Sequence, residues 1–333
     1  TEGYGYQRQV SMIRELFTKE GNLQVGELIN IANETEDGVK IINMKLQKVN
    51  NPIVSGNYAD PEARFYEGKY WIYVTESKAF KDQKNLTVFS SSDMENWEKH
   101  ENIVDMSDFP WIWGAVWAPT VIEKNGKYYL MFASNDIHAD EDDGGLEIAW
   151  SDSPAGPFKS LLGKTLVDDI YNNAQPIDAH LFKDDDGTVY LYYGGWGHCI
   201  VAIMNDDMTG LKPFPDGTYR KEITPESYVE GPCMIKRGDD YYFLWSSGKW
   251  NKSDYCVYYG KSKSPLGPFE KEGTVLISDE TIARAPGHNG FFYIPQSDEY
   301  FIEGEDLAMI ATAEMPLTGY HMDEIIDEDK LPL

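Results

Sequence analysis

YADPEARFYEGKYWIYVTES, residues 58–77, reads as a short strand, a Glu-Gly-Lys turn and an aromatic strand. That is a hairpin signature. The same form returns four times: WAPTVIEKNGKYYLMFASND (117–136), IDAHLFKDDDGTVYLYYGGW (177–196), VEGPCMIKRGDDYYFLWSSGKW (229–250) and PGHNGFFYIPQSDEYFI (286–302). A third strand follows most of them, as in NLTVFSSSDMENWEKH (85–100), GGLEIAWSDSPAGPFKS (144–160), HCIVAIMNDDMTGLKPF (198–214) and YCVYYGKSKSPLGPFEK (255–271). SDSPAGPF and SKSPLGPF are nearly the same string.

Equivalent positions give the period. Asp60 to Ala118 is 58 residues, Ala118 to Asp178 is 60, Asp178 to Glu230 is 52 and Glu230 to His288 is 58. A repeat of this length with several strands per unit marks a β-propeller. A β-sandwich would not produce an internal repeat. The expected fold is an all-β, five-bladed β-propeller. Residues 50–333 form the propeller as one domain, and residues 1–49 lie outside the blade pattern as an N-terminal extension. Within that extension VSMIRELFTKEG (10–21) reads either as a short helix or as a strand followed by a KEGN turn.

Composition narrows the function. The chain has 333 residues and a net charge of −27, so nucleic acid and an anionic membrane surface are excluded as partners for want of a basic patch. No apolar run approaches the about 20 residues a membrane span needs. TEGYGYQRQV, at the N-terminus, lacks the basic start and apolar core of a leader. The expectation is a cytoplasmic protein, or a secreted one whose leader is already gone, of bacterial origin. Cys199, Cys233 and Cys256 are widely spaced on strand-like runs, which predicts buried free thiols and neither a disulfide framework nor a zinc site. Aromatic residues make up 14% of the chain, enough both for half-buried strands and for flat walls that stack on sugar rings.

In a propeller the innermost strand of each blade lines the central channel. Residues at the start of those strands therefore ring one mouth of it. The repeat puts Asp60, Ala118, Asp178, Glu230 and His288 there. Taken singly, Asp60 before Pro61 reads as a turn residue, Asp178 as a surface residue and Glu230 before Gly231-Pro232 as a loop carboxylate. Their shared register argues against three coincidences. Gathering three carboxylates around one well costs several kcal/mol unless partners offset it, and such clusters concentrate at functional sites. The acidic runs DEDD (140–143), DDD (184–186) and DEIIDEDK (323–330) are out of register and read as solvated loops or a tail.

Through these residues the chain resembles glycoside hydrolase family 43, whose members are five-bladed propellers. NPIVSGNYADPE, VWAPTV, IDAHLF, YVEGPCMIKRGDDYYFLWS and PGHNG carry the resemblance, in the family's order, over roughly residues 50–302. It implies inverting hydrolysis of arabinofuranosides or xylosides. Asp60 would be the general base, Glu230 the general acid, and Asp178 the group that tunes and orients that acid. His288 matches a histidine that approaches a hydrated metal ion, usually Ca2+, in many members. Inversion needs the two carboxyl groups about 6.5–9.5 Å apart, to admit a water. A third carboxylate beside the acid would keep it protonated.

Trp117 and Trp113 are candidates for a sugar-stacking wall, with a core role as the alternative for Trp117. Arg284 is a candidate for a hydroxyl contact, with a surface ion pair as its alternative. The chain departs from the family after residue 290, where a V-Y-H-R-R type segment is absent. In turn, GYGYQRQVSMIRELFTKEGNLQV (3–25) looks like the family's closing strand and turn, placed at the wrong end. Residues 1–25 are therefore expected either to close the last blade or to form a partly ordered extension.

The leading functional expectation is an exo-acting enzyme that trims arabinofuranosyl or xylosyl units from plant hemicellulose or its oligosaccharides. The alternatives are an endo- or exo-1,5-α-L-arabinanase and, from another class, a non-catalytic carbohydrate-binding propeller. The last would keep aromatic walls but has no need of three carboxylates in register.

Overall fold

In a computed structural model of the chain, the described residues are 13–17, 23–25, 58–93, 96–278, 285–294 and 299–303. Two strands lead, β1 (Ile13–Phe17) and β2 (Leu23–Val25). Sheet one follows, with β3 (Tyr58–Tyr66), β4 (Lys69–Glu76), β5 (Leu86–Ser91) and β6 (Glu98–Glu101). Sheet two holds β7 (Trp117–Lys124), β8 (Lys127–Ser134), β9 (Gly145–Ser151) and β10 (Lys159–Ser160). Sheet three holds β11 (His180–Lys183), β12 (Val189–Tyr193), β13 (Ile200–Met204), β14 (Leu211–Lys212) and β15 (Arg220–Glu222). Sheet four holds β16 (Glu230–Arg237), β17 (Asp240–Ser247), β18 (Cys256–Ser262) and β19 (Glu270–Leu276). β20 (Gly290–Ile294) and β21 (Glu299–Glu303) come last.

Each sheet is an antiparallel meander whose strand order follows the chain, except that β15 returns to pair with β13 in sheet three and that the last sheet runs β2-β1-β21-β20. There Ile13 pairs with Ile302 and Arg14 with Phe301, so strands from the two ends of the sequence share one sheet. Ile13–Phe17, left open in the sequence between helix and strand, is a strand. The inner strands touch in succession, β3 with β7, β7 with β11, β11 with β16, β16 with β20 and β20 with β3. The architecture is an all-β propeller.

Apolar side chains that alternate along each strand pack into the gaps between neighbouring sheets. Tyr73, Val88, Leu130 and Phe132 fill the gap between sheets one and two. Met131, Ile148, Leu191 and Ala202 fill the next, Tyr192, Val201, Phe243 and Trp245 the third, and Cys233, Leu244, Val257 and Phe291 the fourth. The three cysteines are free and buried, as the sequence predicts.

Inside the channel sits a polar plug. Arg64 forms an ion pair with Glu62, which also accepts from Thr120 Oγ1 at 2.9 Å and lies 3.6 Å from His180 Nδ1. Arg64 further donates to the carbonyls of Val121 (2.9 Å) and Leu181 (3.3 Å), and His180 Nε2 meets the Met234 carbonyl at 3.2 Å. Four inner strands are tied together at one level. Beyond the plug the channel widens into a cavity of about 360 Å³, whose lining includes Phe65, Ile122, Phe182, Lys183, Asp185 and Lys236.

Candidate active site

Every inner strand opens with the same backbone device. Asp60, Ala118, Asp178, Gly231 and His288 all take positive φ, at 51°, 48°, 55°, 62° and 37°. For a residue with a side chain this left-handed conformation costs about 1–2 kcal/mol. In sheets one, two and four a bulge accompanies it, between Ala59 and Glu62, between Trp117 and Thr120, and between Glu230 and Cys233. Bulges of this kind re-aim side chains beside active sites.

This geometry corrects the sequence register by one residue. Glu230 is the counterpart of Ala59 and Trp117, while Gly231 is the counterpart of Asp60 and Ala118. Asp60, Asp178 and His288 thus project from one backbone position, and Glu230 projects from the position before it. Only glycine suits residue 231, since a Cβ there would stand 2.7 Å from Ser246 Oγ and 3.3 Å from the Cα of His288.

The four groups converge. His288 Nδ1 lies 3.2 Å from Asp60 Oδ1 and 3.4 Å from Asp178 Oδ2. Asp60 Oδ2 accepts from Thr75 Oγ1 at 2.6 Å, and Thr75 Oγ1 in turn accepts from the Ala118 N–H at 2.8 Å. Asp178 Oδ2 accepts from the Gly231 N–H at 3.0 Å, which fixes it against the residue that follows Glu230. Glu230 Oε1 accepts from Tyr255 Oη at 2.9 Å, and the His288 N–H is held by Ser246 Oγ at 2.7 Å. The Tyr255 ring lies so close to Gly287 that a Cβ there would fall 1.8 Å from it.

Electrostatics separates the carboxyl groups. Burial raises Glu230, the Asp178 charge raises it further, and the hydrogen bond from Tyr255 and the pull of His288 offset part of this, leaving it at about 7. Burial also raises Asp60, against the pull of His288, with Asp178 adding to the rise. A carboxyl held protonated near neutrality beside a carboxylate paired with an imidazole forms an acid and base set.

Thr75, Ser246 and Tyr255 were not singled out in the sequence. Two of them carry a readable signal, because Thr75 faces Ala59 and Ser246 faces Glu230 across their hairpins, a hydroxyl opposite the bulge in both. Trp117 stands at the Glu230-like position of sheet two, half-buried, its indole N–H on Gln83 and its ring edge-on to Phe80 at 4.9 Å. Trp113 is 51% exposed on the loop between sheets one and two. Arg284 lies outside the described residues.

The residues around His288 do not by themselves complete a calcium shell. Its Nδ1 faces two carboxylates, and among the described residues no group of three or more His, Cys, Asp and Glu side chains is arranged to hold a metal. Calcium takes six to eight oxygens, and the buried Asn289 amide, unpartnered beside His288, supplies a single one.

A propeller that gathers three carboxyl groups and an imidazole at one mouth of its channel has the equipment of a glycosidase. The sequence profile of Glycosyl hydrolases family 43 matches residues 49–303, and the chain belongs to that family. A β-D-galactofuranosidase of Aspergillus niger is 39% identical over 268 residues, covering 77% of this chain and 75% of that protein. A xylosidase/arabinosidase of Humicola insolens is 26% identical, covering 68% and 82%. Among solved structures, an α-L-arabinofuranosidase of Clostridium thermocellum superposes with a TM-score of 0.61 at 25% identity, covering 73% and 80%. The protein is a glycosidase. Among the described residues no helix is long and apolar enough to cross a membrane.

Proposed function

We propose that the protein is an inverting, exo-acting glycosidase that releases terminal α-L-arabinofuranosyl or β-D-xylosyl units from hemicellulose and its oligosaccharides. The observation that carries this reading is the Glu230 carboxyl, raised to about 7 between Asp178 and Tyr255 while Asp60 keeps its imidazole partner. Asp60 takes a proton from water as that water attacks the anomeric carbon. Glu230 gives its proton to the departing glycosidic oxygen on the opposite face. The product is a hemiacetal of inverted configuration, and exchange with solvent returns both carboxyl groups to their starting states. Asp178 acts through Glu230, by its charge and by its grip on the Gly231 N–H. Trp117 and Trp113 are read as walls for the sugar. We count the last sheet, β2-β1-β21-β20, as the fifth blade of the ring, with β1 and β2 closing it.

A second furanose is a specific alternative. The Aspergillus relative is named for β-D-galactofuranose. That sugar has the ring configuration of α-L-arabinofuranose and differs in its longer exocyclic arm. Anomer-resolved proton NMR of the aryl α-L-arabinofuranoside, β-D-xyloside and β-D-galactofuranoside, with Glu230→Ala as control, tests the proposal. Inverted sugar, lost in the control, is the expected result, and the rate ratio names the sugar. A product of retained configuration, or no release from any of the three or from arabinan, overturns it.

A further inference from the structure

Between β12 and β13 the chain makes the turn Gly194-Gly195-Trp196-Gly197. Trp196 has a φ of 55° and is 45% exposed. Both properties are uphill. Glycine would occupy this conformation without strain, as Gly194 and Gly197 do on either side at 137° and 84°. A bulky residue held there without burial has no packing rationale, and strain of this kind concentrates where a side chain is needed for binding.

The turn is fastened to the catalytic strands. The Gly194 N–H donates to the Ile177 carbonyl at 3.0 Å, one residue before Asp178. The Gly197 N–H donates to the Val229 carbonyl at 3.0 Å, one residue before Glu230. Trp196 is therefore anchored between the two carboxylate-bearing positions of sheets three and four. Beside it, the His138 ring meets the Trp196 ring at 5.3 Å with planes 62° apart. His138 lies 3.4 Å from Asp136 Oδ2, and Asp136 Oδ1 accepts from Gln175 Nε2 at 2.9 Å. The pair forms a corner, with an indole on one side and a polar imidazole edge on the other.

We propose that Trp196 and His138 form the subsite for the leaving-group sugar, taking the apolar face of a neutral pentose or hexose ring. The side follows from chemistry and rests on the assignment of Glu230 as the acid. Its proton goes to the leaving oxygen, so the leaving sugar extends on the flank of Glu230 and Asp178, away from the water that Asp60 activates on sheet one. Trp196 is fixed to that flank. A flat indole presents area at little conformational cost, and the imidazole meets hydroxyls at the ring edge.

The test compares Trp196→Gly and Trp196→Phe with the wild-type protein. The glycine variant removes the ring and relieves the backbone, so it retains or gains thermal stability. Kinetics are read on α-1,5-linked arabinotriose, on xylotriose and on the methyl glycosides, whose leaving group carries no ring. The expected result is a fall of about tenfold in the ratio of kcat/KM for the trisaccharide to that for the methyl glycoside, borne mainly by KM and largely restored by phenylalanine. An unchanged ratio overturns the proposal. If the wild-type protein cleaves none of these, the arabinofuranosidase and xylosidase reading fails by itself, and calorimetric titration with the same trisaccharides still decides the subsite. Weaker binding to Trp196→Gly sustains it and equal binding overturns it. A change of oligomeric state in that variant would give this face to a second copy of the chain, and would also overturn it.

Discussion

Glu62 and Glu230 are both glutamates on inner strands of the same channel, yet their carboxyl groups are displaced in opposite directions. Burial acts to raise each of them. At Glu62 that effect is outweighed by the Arg64 guanidinium and by His180, and the carboxyl ends below its ordinary value. At Glu230 the strongest charge effect comes from the like-charged Asp178, no cationic side chain of Lys or Arg is among its main influences, and the carboxyl rises to about 7. One glutamate is neutralised and serves to lock four strands together. The other is left in tension and keeps a proton to give away. The proposed mechanism depends on withholding from Glu230 the partner that Glu62 receives.

The comparison can be broken from either side. The largest effect is expected for Asp60→Asn, which removes the proposed base. Turnover should fall by about four orders of magnitude for every leaving group, measured as initial rates on alkyl and dinitrophenyl glycosides. Glu230→Gln comes next, with a loss of about a thousandfold on alkyl glycosides and far less on the dinitrophenyl glycoside, whose departure needs no acid. The alkaline limb of the pH–rate profile near 7 should vanish with it. This variant also changes stability in a pH-dependent way. The folded chain holds the Glu230 proton more tightly than the unfolded chain, so wild-type stability falls as pH rises from about 4.5 to about 7. Glutamine escapes that loss. Its Tm should exceed the wild-type value by a few degrees at pH 8 and match it near pH 4.5 in calorimetric scans.

Arg64→Met tests the compensated glutamate. Leaving Glu62 buried without its cation should cost about 3–5 kcal/mol, a drop in Tm of roughly 10 °C at pH 7. Adding Glu62→Gln should recover much of it, and equal Tm values for the single and double variants would show that Arg64 acts by packing alone. The smallest effect belongs to Tyr255→Phe. Its hydroxyl lowers Glu230 by hydrogen bonding, so removing it should move the alkaline limb upward by less than about one pH unit. A downward shift would reverse the assigned role of that bond.

The repeat, the hairpins and the mouth of the channel were legible because strand alternation and turn chemistry are local. Asp60, Asp178 and His288 could be placed from spacing alone. Glu230 was placed one residue out of register because the left-handed position in its sheet is met by Gly231, so the carboxylate beside it was aligned in its stead. The prolines held the correction: Pro61, Pro119 and Pro232 each follow the left-handed residue, and alignment on them gives the true register. The Glu62–Arg64 plug and the hold of Tyr255 on Glu230 were not legible. Each joins residues from different strands, and their meeting depends on how the sheets close around the axis. Trp196 read as the end of an aromatic strand, since a sequence does not display the sign of φ.

The pairing of Ile13 with Ile302 also bears on how the molecule is made. Synthesis runs at roughly 5–20 residues per second, so the first strand waits about 15–60 s for its partner to emerge. Throughout that interval sheets one to four can form behind the ribosome, while the hairpin of β1 and β2 keeps an open edge. β1 is thus made before the strands of sheets one to four yet finds its partner after them, and its exposure to proteases and chaperones lasts longest.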